Sequence, residues 1–244
     1  MGAVRLSAIL AVGALVWAAP SLAGPPYQTD DPEPTELGHW EIYSFATADG
    51  HRGDVDGAAG FDLNYGGARG LQLTATVPIA FARTPSAGWR AGSGDLELAA
   101  KYRFLNDEQS GWQAAIFPRV ILPTATHGLG GTRARFLLPL WVQKDFGKTS
   151  VFGGGGYEIN PGTGNKDFWQ AGIALTHDFS TTLSLGTELT WQSADTRGGP
   201  SATGANIGLI QKIGGPFALL LAGGPSFSAG QTSYHSYAAL SLNF

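Results

Sequence analysis

The sequence predicts an all-β fold: a closed antiparallel up-and-down transmembrane β-barrel of about twelve strands. Three observations predict it. Short segments of alternating polarity recur from residue 39 onward, the breaks between them alternate short and long, and aromatic residues gather at the segment ends.

The alternation is clearest in Leu71-Gln72-Leu73-Thr74-Ala75-Thr76-Val77, apolar at every odd position and polar at every even one. Residues 95–104 repeat it in the opposite phase. A period of two gives a strand with two unlike faces. Such segments lie near residues 39–47, 55–65, 70–81, 95–104, 111–122, 133–145, 149–159, 168–178, 182–193, 204–213, 216–223 and 233–244. Most are roughly 9–13 residues long, about what a tilted strand needs to cross a bilayer.

The short breaks include Gly66–Arg69, Leu105–Ser110, Phe146–Lys148, Phe179–Thr181 and Gly214-Gly215. The long ones include Ala82–Gly94, Pro123–Thr132, Asn160–Asp167, Ala194–Thr203 and Gly224–Thr232. Outer-membrane barrels have short periplasmic turns and longer outer loops, so both barrel ends are expected in the periplasm. On this topology Trp40, Tyr65, Tyr102, Phe104, Trp112 and Phe244 fall at periplasmic strand ends, and Phe81, Tyr157, Trp169 and Trp191 at outer ends. Amphipathic rings at headgroup level form such girdles.

Three regions follow. Residues 1–23 read as a secretory signal: Arg5 supplies positive charge, Ser7–Ala19 an apolar run, and Ser21-Leu22-Ala23 a cleavage site after Ala23. The run is too short for a membrane anchor. Residues 24–38 contain Pro25, Pro26, Pro32, Pro34 and four acids, so no strand is expected there. This periplasmic segment either folds into the lumen as a plug or hangs free. Residues 39–244 are the barrel. The chain ends on an alternating strand closed by Phe244, which resembles the signal read by the outer-membrane assembly machinery. That machinery and the lipid bilayer are the expected partners, with a small-molecule solute. The expected location is the outer membrane.

There is no cysteine, so no disulfide framework is expected. Charged residues are 14% of the chain and the net charge of −4 is too mild to imply a nucleic-acid partner.

The segment Thr29-Asp30-Asp31-Pro32, then Gly38-His39-Trp40-Glu41, Leu138-Pro139-Leu140-Trp141-Val142-Gln143-Lys144-Asp145-Phe146-Gly147, Gly153–Tyr157 and Asn160-Pro161-Gly162 carry a resemblance over nearly all of the mature chain. It resembles the family of outer-membrane transporters labelled "MetA-pathway of phenol degradation". The resemblance implies a barrel that moves small compounds, aromatic ones among them, and brings no functional residues with it.

With the apolar phase outward, the inward phase carries Glu41, Asp62, Asp95, Glu97, Glu158 and Glu188, with Lys101, Arg103, Arg119, Arg133, Arg135 and Lys212. An Arg or Lys facing lipid at mid-bilayer costs about 2–4 kcal/mol, so these belong inside or near the ends. Asp95, Glu97, Lys101, Arg103, Arg119, Arg133, Arg135, Glu158 and Glu188 are the lumen or constriction candidates. They form either a selective charged constriction or a bracing salt-bridge network. The balance of signs predicts weak ion selectivity. The functional expectation is a passive channel for small organic compounds, with a structural or surface-interaction barrel of blocked lumen as the alternative. Pro78, Pro118 and Pro139 inside segments leave two readings, a lateral opening or a tolerated kink.

No enzyme, cofactor or metal is expected. Ser233 and His235 share a strand face at i, i+2, but no orienting acid is apparent and the spacing is long for a nucleophile and its base. Gly153–Gly156 is not a phosphate loop. It lets the wall bend or a plug approach. Asp30 and Asp31 could hold a cation, but adjacent carboxylates are usually solvated.

Overall fold

The computed structural model describes residues 26–244, and the expected signal peptide lies outside them. Fourteen strands follow one another: β1 (Trp40–His51), β2 (Asp54–Ala68), β3 (Leu71–Thr84), β4 (Gly88–Ser93), β5 (Leu96–Asp107), β6 (Trp112–Ile116), β7 (Arg119–Leu122), β8 (Arg135–Phe146), β9 (Thr149–Ile159), β10 (Phe168–Asp178), β11 (Leu183–Gln192), β12 (Ala202–Gly214), β13 (Phe217–Ser228) and β14 (Gln231–Asn243). They make twelve staves. β4 and β5 are one stave, both paired with β3 and parted by Gly94-Asp95. β6 and β7 are another, both paired with β5 and β8 and parted by Phe117-Pro118. β1 pairs antiparallel with β14 from Glu41↔Asn243 to Gly50↔Tyr234, which closes the barrel.

The wall has no gap at its prolines. Pro118 O accepts from Ala100 N at 3.1 Å, Pro139 O from Phe117 N at 3.1 Å, and Pro78 O from Gly94 N at 2.9 Å. Proline loses a donor and keeps its acceptor, so each site remains tied on its carbonyl side. The kink reading holds there and the lateral opening does not.

Two expected long loops are strand. Ala82–Gly94 is mostly the β3–β4 hairpin and Gly224–Thr232 the β13–β14 hairpin. The second turns at Ala229-Gly230 (φ 48° and 74°), as β1–β2 turns at Arg52-Gly53 (φ 47° and 92°). Paired positive φ values belong to the tight hairpin turn whose twist matches the strands. These extensions have no apolar face to maintain, so their sequence does not alternate as the spanning parts do.

The polarity is inside-out relative to a soluble protein. Ile207 is 74% exposed and Leu189 58%, while Glu188 and Gln143 are 1% exposed inside. An exposed apolar band over a polar interior is what a bilayer demands. Trp40 and Tyr65 stack at one rim, with rings 4.9 Å apart, and Tyr157 and Trp169 at the other, 5.0 Å apart. The rim of Trp40 and Phe244 is called the base below, the opposite rim the mouth. Inside, Tyr43, Ile210, Ala218, Leu220 and Ala239 pack with Phe45 and Tyr237 into an apolar cluster on one side of the lumen.

Candidate functional site: the lumen and its inserted segment

Residues 26–35 lie within the barrel, and Glu36 and Leu37 are exposed at its base. The segment joins the wall at the base, where Leu37 bridges Gly66 and Gly38 N donates to Gly66 O at 2.8 Å. Pro26, Pro32 and Pro34 have no N–H to satisfy, which suits an extended chain without a strand partner. Five of the remaining backbone donors, on Gln28, Thr29, Asp31, Glu33 and Thr35, find side chains. Gln28 N and Thr29 N donate to the two oxygens of Glu188 at 3.0 and 2.9 Å, and Thr35 N donates to Gln72 Oε1 at 2.8 Å. The two bonds to the Glu188 carboxylate are worth about 1.5–3 kcal/mol each.

Ion pairs hold the middle. Lys101 Nζ meets Asp30 Oδ1 at 2.9 Å, Asp31 Oδ1 at 3.8 Å and Glu33 O at 3.2 Å. Arg119 spans Asp30 (2.9 Å) and Glu97 (3.2 Å), with its guanidinium 4.2 Å from the Phe117 ring centre. Asp31 is fully buried, contrary to the expectation of solvated adjacent carboxylates. The reason is that Lys101 and Arg119 supply the compensating charge across the lumen. Burial raises the Asp31 carboxyl to about 7 against the opposing pull of Lys101. Burial, reinforced by Asp31, raises Glu33 to about 8.

The wall leaves room for this chain. A Cβ on Gly172 would overlap Thr29 Oγ1, and one on Gly186 would overlap the Tyr27 hydroxyl. The run Gly153–Gly156 does not serve the segment. Added Cβ atoms there meet the neighbouring wall strands, including Leu140 O, Pro139 and the Trp141 ring.

The nine candidate residues divide by position. Lys101, Arg119 and Glu188 grip the inserted segment, and Glu97 braces Arg119 from the wall at 3.2 Å. Arg135 pairs with Glu158 at 3.0 Å and Asp95 at 3.6 Å toward the mouth. Asp95 sits at the interruption of the β4–β5 stave and accepts from Ala125 N and Gly131 N, so it anchors the loop between β7 and β8. Arg103 lies toward the base and donates to Gln113 at 2.7 Å. Arg133 is exposed before β8 begins and lines neither chamber described below.

Two chambers occupy the lumen and meet at Gln28. A mouth chamber of about 400 Å³ has Gln28 and Thr29 as its floor and Gln170, Thr190, Gln192, Asn206, Ser226 and His235 among its walls. A base-side chamber of about 220 Å³ is lined by Asp30, Glu33, Glu41, Asp62 and Glu97 against Lys101 and Arg119. The inserted segment adds acids that the strand pattern alone did not place inside. The lining of this narrower chamber is therefore acidic rather than balanced.

The acid missing beside His235 is Asp49, whose Oδ1 lies 3.0 Å from Nδ1 across the β1–β14 seam. Strand pairing between the two ends of the barrel brings them together, and no local motif announces it. Among the described residues no hydroxyl hydrogen-bonds to this ring. Also among the described residues, no cluster of three metal-type ligands occurs.

No protein-family model and no curated protein matches the chain. Solved structures do. An outer membrane channel from Pseudomonas putida F1 superposes with a TM-score of 0.74 at 14% identity, covering 88% of this chain and 98% of that one. The NanC porin gives 0.58 at 9% identity (83% and 98% covered). The KdgM porin, in complex with disordered oligogalacturonate, gives 0.56 at 11% identity (84% and 99% covered). The fold is that of an outer-membrane β-barrel.

Proposed function

We propose that this chain is an outer-membrane channel for passive passage of small organic compounds, exported by a signal peptide in residues 1–23 and inserted through its C-terminal strand. The observation that carries this reading is the pair of polar chambers inside a closed twelve-stave wall, which share Gln28 of the inserted segment in their linings. The fold likeness to channels and porins supports it. The resemblance to the family labelled "MetA-pathway of phenol degradation" adds aromatic compounds to the expected solutes. We read residues 24–38 as a displaceable plug on the periplasmic side.

Liposome swelling with aromatic acids, sugars and amino acids tests the reading. Vesicles with the full chain swell, and vesicles with a variant lacking residues 26–36 swell faster. No swelling with either protein sinks the channel.

One observation favours the alternative, a structural or surface-interaction barrel with a blocked lumen. The segment is buried and ion-paired, with Asp31 at 0% exposure. Swelling by the deletion variant alone would favour that reading.

A further inference from the structure

The mouth chamber differs in chemistry from the rest of the lumen. Its two ionisable lining side chains, Asp49 and His235, face each other at 3.0 Å. The rest is neutral, and much of it has no protein partner. The side chains of Gln170, Thr190, Gln192, Ser226 and Ser233 make no hydrogen bond to any described residue. They project from β10, β11, β13 and β14, staves spread along one arc of the wall, onto a single cavity.

Two wall residues carry a second, independent sign. Trp141 Nε1 and Asn206 Oδ1 are buried and unpartnered, in residues only 5% and 3% exposed. One is an obligate donor and the other an acceptor. In the floor, Thr29 Oγ1 is likewise buried without a partner. Unpaired buried polar groups cost about 1–3 kcal/mol each, so native structures normally satisfy them. All three residues line the cavity, which is already ringed by free amides and hydroxyls.

We propose that the mouth chamber is a binding station for a small, uncharged, multiply hydroxylated solute about the size of a monosaccharide. The volume of about 400 Å³ is at the small end for ligand pockets. Amide and hydroxyl side chains offer both donors and acceptors, as a polyol requires. A carboxylate-bearing solute would find no free cation in this lining. A plain aromatic ring would bury the five polar side chains without replacing their bonds to water. The proposal rests on the channel reading and concerns binding, which is measured separately from passage.

The test is titration calorimetry on the purified full chain in detergent, with glucose, myo-inositol and benzoate as probes. Folding is checked by the faster migration of the unheated barrel on a denaturing gel. Glucose or myo-inositol binds the wild-type protein, and benzoate binds at least tenfold more weakly. Gln170→Leu/Gln192→Leu weakens polyol binding at least tenfold. If that variant fails to fold, the milder Thr190→Val/Ser226→Ala is read instead, with a loss of at least threefold expected. Absence of polyol binding to the wild type overturns the proposal. So does benzoate binding as tightly as glucose, or polyol binding unchanged in the folded variant. Binding without liposome swelling removes the channel and leaves the site.

Discussion

Lys101 Nζ, on the barrel wall, lies 2.9 Å from Asp30 Oδ1, on a chain segment that belongs to no strand. Both groups are largely shielded from solvent, with 4% and 14% of their side chains exposed. Removing one partner of a buried pair typically costs about 3–5 kcal/mol, because the other charge is stranded. Arg119 still holds Asp30 when Lys101 is gone, so Lys101→Met is expected toward the lower end, about 3 kcal/mol. The loss appears as faster limited proteolysis of residues 26–36 and higher single-channel conductance. Unchanged proteolysis and conductance would contradict the gripping role of this pair.

Glu188 holds the other end of the segment through Gln28 N and Thr29 N. Glu188→Gln keeps the shape and removes the charge, and one of its oxygens becomes a donor facing another donor. Docking is expected to weaken by about 2 kcal/mol. The two grips touch different parts of the segment, so Lys101→Met and Glu188→Gln add to within about 0.5 kcal/mol. Protease-protection free energies from the double-mutant cycle check this.

Gly172 tests shape rather than charge. A methyl group there overlaps Thr29 Oγ1 but meets its own neighbouring strand only at an ordinary 3.4 Å from Leu189 O. Gly172→Ala should therefore dislodge the segment by about 1–3 kcal/mol while leaving the melting temperature of the barrel unchanged. Adding Thr29→Gly should restore protection of the segment. A Gly172→Ala barrel that melts early would show that the glycine serves the wall instead.

Alkaline pH is expected to loosen the segment. Burial raises Asp31 to about 7, among Asp30, Lys101 and Glu41. It raises Glu33 to about 8, among Asp31, Arg103, Asp145 and Lys101. In the undocked segment both carboxyls titrate in the usual range near 4. The docked form thus binds more protons between those limits. Docking is strongest below about pH 4 on this account and weakens as pH rises through 7 to 8. Protease susceptibility of residues 26–36 and cation preference in planar bilayers should both increase from pH 6 to pH 9. A flat or reversed profile would count against these two groups as the titrating ones.

Much of the architecture was legible in the residues. Gln72 and Thr74 alternate with Leu73 and Ala75 because each strand separates lipid from lumen, and this local rule is written at every second position. Pro118 announced the kink at Phe117-Pro118, whereas the outer hairpins were not legible as such, since beyond the membrane no apolar face enforces alternation. The candidate site was half visible. Lys101, Arg119 and Glu188 declared themselves as charges in an inward phase. Their partners Asp30, Gln28 and Thr29 did not, because an irregular proline-rich segment has no period from which to infer its position.

By itself, then, the sequence determined the barrel, its approximate strand number, its inward charges and its aromatic rims. These follow from a one-dimensional pattern that the bilayer imposes on each strand separately. Only the tertiary structure decided that the N-terminal segment enters the lumen, that Asp49 meets His235, and that two chambers of unlike chemistry result. Those features depend on contacts between residues up to 186 positions apart. Such contacts are set by strand register and by the space left at glycines such as Gly172, which no local alternation encodes.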